Sequence, residues 1–126
     1  MKKVIATTAA PGAIGPYSQA IEANGFVFAS GQIPLDPATG AFVPGGVEEQ
    51  AEQALKNLTA VLAAADCEMN DVVKTTVFLT DMNDFAKVNA VYAKFFTQDC
   101  PARSAVQVGA LPKGALVEVE AIAAKK

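Results

Sequence analysis

The chain contains no histidine. Imidazole is the usual acid/base group near neutral pH, so its absence removes Ser–His and Cys–His nucleophilic pairs from anything this chain builds alone. Chemistry here has to run on carboxylates, arginine, lysine, tyrosine, thiols or bound water. Cysteine is scarce as well. Cys67 and Cys100 stand isolated, without metal-ligand spacing, and a structural zinc site lacks its four ligands. Two free thiols are the expected state in an intracellular chain. Apolar runs break off well short of the roughly 18 residues that span a membrane, and the segment after Lys2 and Lys3 is too short for a signal peptide. Beyond the paired lysines near each end there is no basic cluster, and the net charge is −3. Phosphate backbones require a basic patch, so nucleic acid is not an expected partner. The expectation is a cytoplasmic protein bound to neither membrane nor nucleic acid.

What is present suits one domain, residues 1–126, with its own core: 52% of the residues are apolar and 18% are charged. Residues 2–6 (KKVIA) predict a short strand. A loop punctuated by Pro11, Gly12, Gly15 and Pro16 follows. QAIEA and FVFASGQIP then predict two strands joined by Asn24-Gly25, a strong two-residue hairpin signal. From Val47 the period changes: Val47, Ala51, Ala54, Leu55, Leu58, Val61, Leu62 and Ala65 share one helical face, with Glu52, Lys56 and Asn57 assigned to the other. Val72–Thr80 is β-branched and aromatic, which predicts a strand. Asp81 is a candidate N-cap for a second helix whose buried stripe is Phe85, Val88, Val91, Tyr92, Phe95 and Phe96. Two strands finish the chain.

The predicted order is β-β-β-α-β-α-β-β, an α+β fold with a single mixed sheet and two helices packed on one face. The other sheet face is then uncovered while still carrying Leu116 and Ile122, which makes the chain a candidate oligomer.

One residue stands out. Arg103 sits at the mouth of a strand, near a strand that carries Glu118 and Glu120. Alternation puts Arg103, Ala105 and Gln107 on one face, and Leu116, Glu118, Glu120 and Ile122 on another. If the last two strands pair as a hairpin, the register that sets valine against valine places Arg103 beside Glu118 or Glu120. Two readings follow. One is a cross-strand salt bridge on a solvated face, contributing about 0.2–1 kcal/mol. The other is a pocket at a subunit boundary, where a planar guanidinium grips a carboxylate and a glutamate holds a water.

AIGPYSQA (13–20), FASGQIP (28–34), TTVFLTDMNDFAKVNAVYAKFF (75–96), PARSAVQV (101–108) and LPKGALVEVEAIA (111–123) together resemble the RidA/YjgF family of enamine/imine deaminases, almost end to end. The resemblance implies a chorismate-mutase-like fold assembled as a homotrimer with sites between subunits. It implies hydrolysis of reactive 2-imino acids, formed from enamines such as 2-aminoacrylate, to a 2-keto acid and ammonia, with no cofactor and no metal. On matching positions, Arg103 is expected to hold the substrate carboxylate and Glu118 to orient or activate water. Tyr17, Ser30, Gly31, Asn89 and Ala105 are expected to line the site. Ala105 replaces the family's usual cysteine two residues after the arginine. A role of that position's backbone N–H survives the replacement, and a role of the thiol does not.

The same residues have plainer readings. Tyr17 is a loop tyrosine suited to surface or interface packing, Ser30-Gly31 a bulge or close backbone approach, and Asn89 a partly buried polar residue satisfied by a neighbouring loop. Only the resemblance singles out Glu118 over Glu120. The rival functions are a non-catalytic binder of small carboxylic acids, an endoribonuclease or translation inhibitor, and a stress-induced chaperone.

Overall fold

The computed structural model describes residues 1–126. Its order is that expected from the sequence: β1 (Lys3–Ile5), β2 (Ala20–Ala23), β3 (Phe26–Gln32), α1 (Val47–Ala63), β4 (Val72–Leu79), α2 (Phe85–Phe95), β5 (Ala102–Gln107) and β6 (Val117–Ala124). The strands form one sheet in the order β1-β2-β3-β6-β4-β5. The β4–β5 ladder is parallel and every other ladder antiparallel. Both β3 and β4 run antiparallel to β6, which lies between them, so α1 links two parallel strands with a third inserted.

Local chemistry accounts for the boundaries. Asn24 and Gly25 both take positive φ, 53° and 81°, as the two-residue turn between β2 and β3 requires. α1 begins at Val47 behind Gly46, whose N–H donates to Glu49 Oε1 at 2.8 Å. Asp81 caps a short 3₁₀ turn, accepting from the Asn83 N–H, and α2 follows at Phe85.

Alternation sorts the sheet into two faces. Val27, Ala29, Thr75, Val77, Leu79, Val117, Val119, Ala121 and Ala123 turn toward the helices and are buried. They pack on Leu55, Leu58, Val61, Leu62, Val88, Val91, Tyr92 and Phe96 in one core. The opposite face has no layer over it. Val4, Phe26, Phe28 and Val106 are exposed there, beside half-buried Ile21, Phe78 and Ile122. Cys67 is buried, Cys100 exposed, and both are free thiols. No helix is long and apolar enough to cross a membrane.

Two expectations fail. The last two strands do not form a hairpin: β5 pairs in parallel with β4, and β6 lies on the far side of β4. The connection from Val108 to Leu116 therefore crosses β4, and Arg103 is opposite Thr75 rather than a glutamate. The argument from valine matching assumed that neighbours in sequence are neighbours in the sheet, and a parallel crossover through α2 removes that premise. Asn57 is also misplaced. It is 1% exposed, at the rim of the buried arc of α1, and its Nδ2 donates to Ile33 O at 3.1 Å and Leu35 O at 2.9 Å.

Candidate functional site

The sequence-predicted site residues fall into two groups. Tyr17, Ser30, Gly31 and Glu118, together with Glu120, line a cleft of about 600 Å³ opening on the uncovered sheet side. Ile14, Ile33, Leu35 and Pro112 supply apolar wall, and Lys113 is its one cation. Arg103, Asn89 and Ala105 are not among its lining residues. Arg103 and Ala105 lie on the edge strand β5, on the side of the sheet that faces α2, and Asn89 projects from α2 to meet the arginine.

The cleft owes its shape to a bulge. Between the pairs Ala29↔Ala121 and Gln32↔Val119, Ser30 and Gly31 oppose Glu120 alone. The Ser30 hydroxyl donates to Ser18 O at 2.6 Å and its N–H to Gln19 O at 2.9 Å, tying the bulge to the loop that carries Tyr17. Gly31 leaves room for the Glu118 side chain: a Cβ there would run into its carboxylate. Both readings offered for Ser30-Gly31, bulge and close approach, describe the same two residues.

Glu118 is half-buried on β6, and burial pushes its carboxyl above the ordinary glutamate value, with the charge of Glu120 adding to the rise. Glu118 and Glu120 project from the same face of β6, the first against Gly31 and the second further into solvent. A carboxyl with a raised pKa in a cleft is suited to exchanging a proton with a held water.

At the other group, Arg103 Nη1 donates to Asn89 Oδ1 at 2.7 Å. Its guanidinium carbon lies 5.2 Å from the Phe85 ring centroid and 4.8 Å from that of Tyr92. Asn89 is thus satisfied by the arginine rather than by a loop. No acidic side chain lies within salt-bridge distance of Arg103, so the surface ion-pair reading is not what the fold builds. An arginine held on one side by an amide and two rings keeps its remaining donors free for an anion.

β5 is an edge strand. Val108 N donates to Leu79 O at 2.8 Å, and with Leu79 opposite Gln107 this fixes the alternation along the strand. The N–H groups of Ser104 and Val106 turn toward β4, and those of Arg103, Ala105 and Gln107 turn to the free edge. The Ala105 N–H is therefore an open donor, available whatever side chain that position carries.

Sequence reading passed over three buried amides, Gln19, Gln32 and Gln50, and assigned a fourth, Asn57, to the exposed face of α1. Gln19 accepts from the Thr7 N–H at 2.7 Å and donates to Pro11 O at 2.8 Å. Gln32 donates to Ser30 O, Gln50 accepts from the Leu116 N–H, and Asn57 binds Ile33 and Leu35. The detectable signal was in α1, where Gln50 and Asn57 are seven residues apart on the edge of the apolar arc.

Residues 7–125 match the family model described as endoribonuclease L-PSP. The 2-iminobutanoate/2-iminopropanoate deaminase of Mus musculus is 58% identical, with 98% of this chain and 91% of that protein aligned. Among solved structures, TdcF of E. coli with bound serine superposes with a TM-score of 0.94 at 48% identity, covering 98% of this chain and 99% of that one. The YjgF gene product of E. coli gives a TM-score of 0.94 at 50% identity, with the same coverage.

Proposed function

The chain belongs to the RidA/YjgF family, the group that the endoribonuclease L-PSP model describes, and from that premise we propose that it hydrolyses small 2-imino acids to 2-keto acids and ammonia, at sites completed by a neighbouring copy in a homotrimer. The observation that carries this reading is the division of the site. The cleft with Glu118 lies on one sheet side, and Arg103 with the open Ala105 N–H lies on the other at the sheet edge. One copy cannot offer both to one small substrate. A second copy seated on the exposed apolar face can bring its β5 edge to the first copy's cleft.

In that arrangement Arg103 binds the substrate carboxylate through two coplanar N–H groups. Asn89 holds the guanidinium, and the Ala105 N–H donates to a substrate oxygen. Glu118 of the partner subunit orients a water toward the imine carbon and takes one proton from it. A C–O bond forms as the C=N π pair moves to nitrogen, giving a carbinolamine. The proton returns from Glu118 to nitrogen, the C–N bond breaks with its pair leaving on nitrogen as ammonia, and an oxygen lone pair closes the C=O bond while the hydroxyl proton passes to the Glu118 carboxylate and from there to the departing ammonia. The sum is protonated imino acid (iminium) plus water to keto acid plus ammonium, with the carboxylate and Glu118 unchanged. No potent nucleophile is needed, because an iminium carbon is already electrophilic; positioning and one proton relay suffice.

The relative with bound serine supports a small amino-acid-like ligand. RNA is the poorer substrate for this cleft, whose charged lining is Lys113 against Glu118 and Glu120, on a chain of net charge −3. The test is direct. 2-Aminoacrylate is generated in situ and keto-acid release is followed with wild-type protein and with Arg103→Ala. Acceleration by wild type and none by Arg103→Ala is expected. Tight binding of the keto acid without any acceleration would leave a carboxylate binder instead, and equal rates with both proteins would overturn the assignment of Arg103.

A further inference from the structure

Arg103 is exposed, yet its guanidinium is not free to turn. Phe85, Asn89 and Tyr92 recur on one face of α2 and meet it from one side. A single hydrogen bond from Nη1 to Asn89 fixes one corner of the group and leaves rotation about that contact. The Tyr92 ring, its centroid 4.8 Å from the guanidinium carbon, lies against the cation and restricts that rotation.

Tyr92 is itself fixed from beneath. It is 7% exposed, and its hydroxyl hydrogen-bonds the Thr75 Oγ1 at 2.8 Å. Thr75 is wholly buried on β4 and is the register partner of Arg103 on β5. The arrangement closes a ring: Arg103 lies beside Thr75 in the β4–β5 register, the Thr75 hydroxyl bonds the Tyr92 hydroxyl, and the Tyr92 ring lies against the Arg103 guanidinium. Around Thr75 the helix-side residues of β4 are Val77 and Leu79, so a valine would fit the position and need no partner. A hydroxyl pair inside an apolar core is not required for packing. It does hold the ring at one tilt.

We propose that Tyr92, locked by Thr75, is a positioning residue that sets the plane of the Arg103 guanidinium. This deepens the reading of Arg103 as the carboxylate receptor and rests on it. The chemical consequence is geometric. Two-point recognition of a planar carboxylate demands a planar donor of fixed orientation, and the imine carbon lies in a direction set by that plane. Loosening the ring should leave the charge in place and degrade its aim.

The experiment uses the full chain with Thr75→Val, Thr75→Ser, Tyr92→Phe and Tyr92→Leu. Side-chain nitrogen relaxation of Arg103 Nε–H reads the mobility of the guanidinium without substrate, and a pyruvate titration reads carboxylate affinity. Tyr92→Leu and Thr75→Val should lower the Arg103 order parameter and weaken pyruvate about threefold to thirtyfold. Tyr92→Phe should lie between Leu and wild type, and Thr75→Ser should restore most of what Thr75→Val loses. A purely structural role would lower melting temperatures and leave order parameter and affinity untouched, which would overturn the proposal. If Tyr92→Leu fails to fold, the near-isosteric Thr75→Val carries the test. A wild type that neither binds pyruvate nor hydrolyses imines would sink the functional reading, while the relaxation measurement still reports on positioning.

Discussion

Arg103 and Glu118 point from opposite faces of the same sheet. Arg103 shares its face with Thr75, which is turned to the helices, whereas Glu118 sits opposite Phe78 on the uncovered side, with β4 between their strands. If the two act on one substrate, they come from different copies of the chain. Two inactive variants should then complement each other. Arg103→Ala and Glu118→Gln, each silent alone, are unfolded together at equal concentration and refolded. Random mixing leaves about one quarter of the interfaces with both groups intact, and activity should return to about that share of wild type. No recovery, with mixed oligomers demonstrated by mass spectrometry, would place both groups in one copy's site.

Gly31 backs directly onto the Glu118 carboxylate. Its backbone is not in the left-handed region, so alanine brings no conformational strain, only a methyl group where the Glu118 carboxylate lies. The carboxylate has to swing away. Gly31→Ala should cut turnover roughly tenfold to a hundredfold, since an ångström of misplacement has an effect of that order, while the melting temperature changes little. A normal rate with the glutamate displaced in a crystal structure would show that its position is not critical.

Asn57 anchors the chain just beyond β3. Its amide satisfies the carbonyls of Ile33 and Leu35, two residues of the cleft wall, and accepts from Gln53 at 2.8 Å. Asn57→Ala leaves two carbonyls without this donor and should destabilise the fold by about 1–3 kcal/mol in urea denaturation. Because Ile33 and Leu35 line the cleft, amide exchange in that loop should rise more than in β4 or β6.

The sequence carried most of the fold in its periodicities. The arc from Val47 to Ala65, the β-branched run from Val72 and the Asn24-Gly25 turn each encode an element locally, and each appears where expected. Strand pairing is a different kind of information. Nothing in residues 101–124 alone says whether PARSAVQV pairs with the strand after it or with the one before α2. Hydrophobic matching fits either, and the mistaken hairpin put Arg103 on the wrong face. Arg103 and the pair Glu118 and Glu120 stand out by pattern, the other candidate residues are named only through a family resemblance, and neither tells which of them lie on which side of the sheet. The cradle of Phe85, Asn89 and Tyr92 was present as helical spacing, but two aromatics in an apolar stripe read as core until the arginine is seen above them.

Glu118 should show its environment in pH. Burial and the neighbouring Glu120 raise its pKa. If the ionised form accepts the proton from water, as proposed, the rate should fall on the acid side at a pH above the ordinary glutamate range. Glu120→Gln removes a like charge while keeping size, and should move that limb to lower pH without altering any basic limb. If Glu120→Gln instead abolishes turnover and Glu118→Gln is harmless, the two roles are exchanged. Stability gives an independent reading with the opposite sign. A carboxyl whose pKa is raised on folding contributes stability that is complete below the unfolded pKa and is lost as pH rises through the folded one. At neutral pH the native protein therefore carries the cost of a half-buried carboxylate. Glu118→Gln does not titrate, so it should melt higher than wild type at pH 7, and the difference should shrink to nothing as pH falls below the unfolded value. The same variant should lose about a hundredfold or more in turnover. A variant that is more stable and less active, with a stability gain confined to the ionised range, is what a glutamate retained for proton transfer predicts; lower stability at pH 7 would mean that the carboxylate is held by the fold for its own sake.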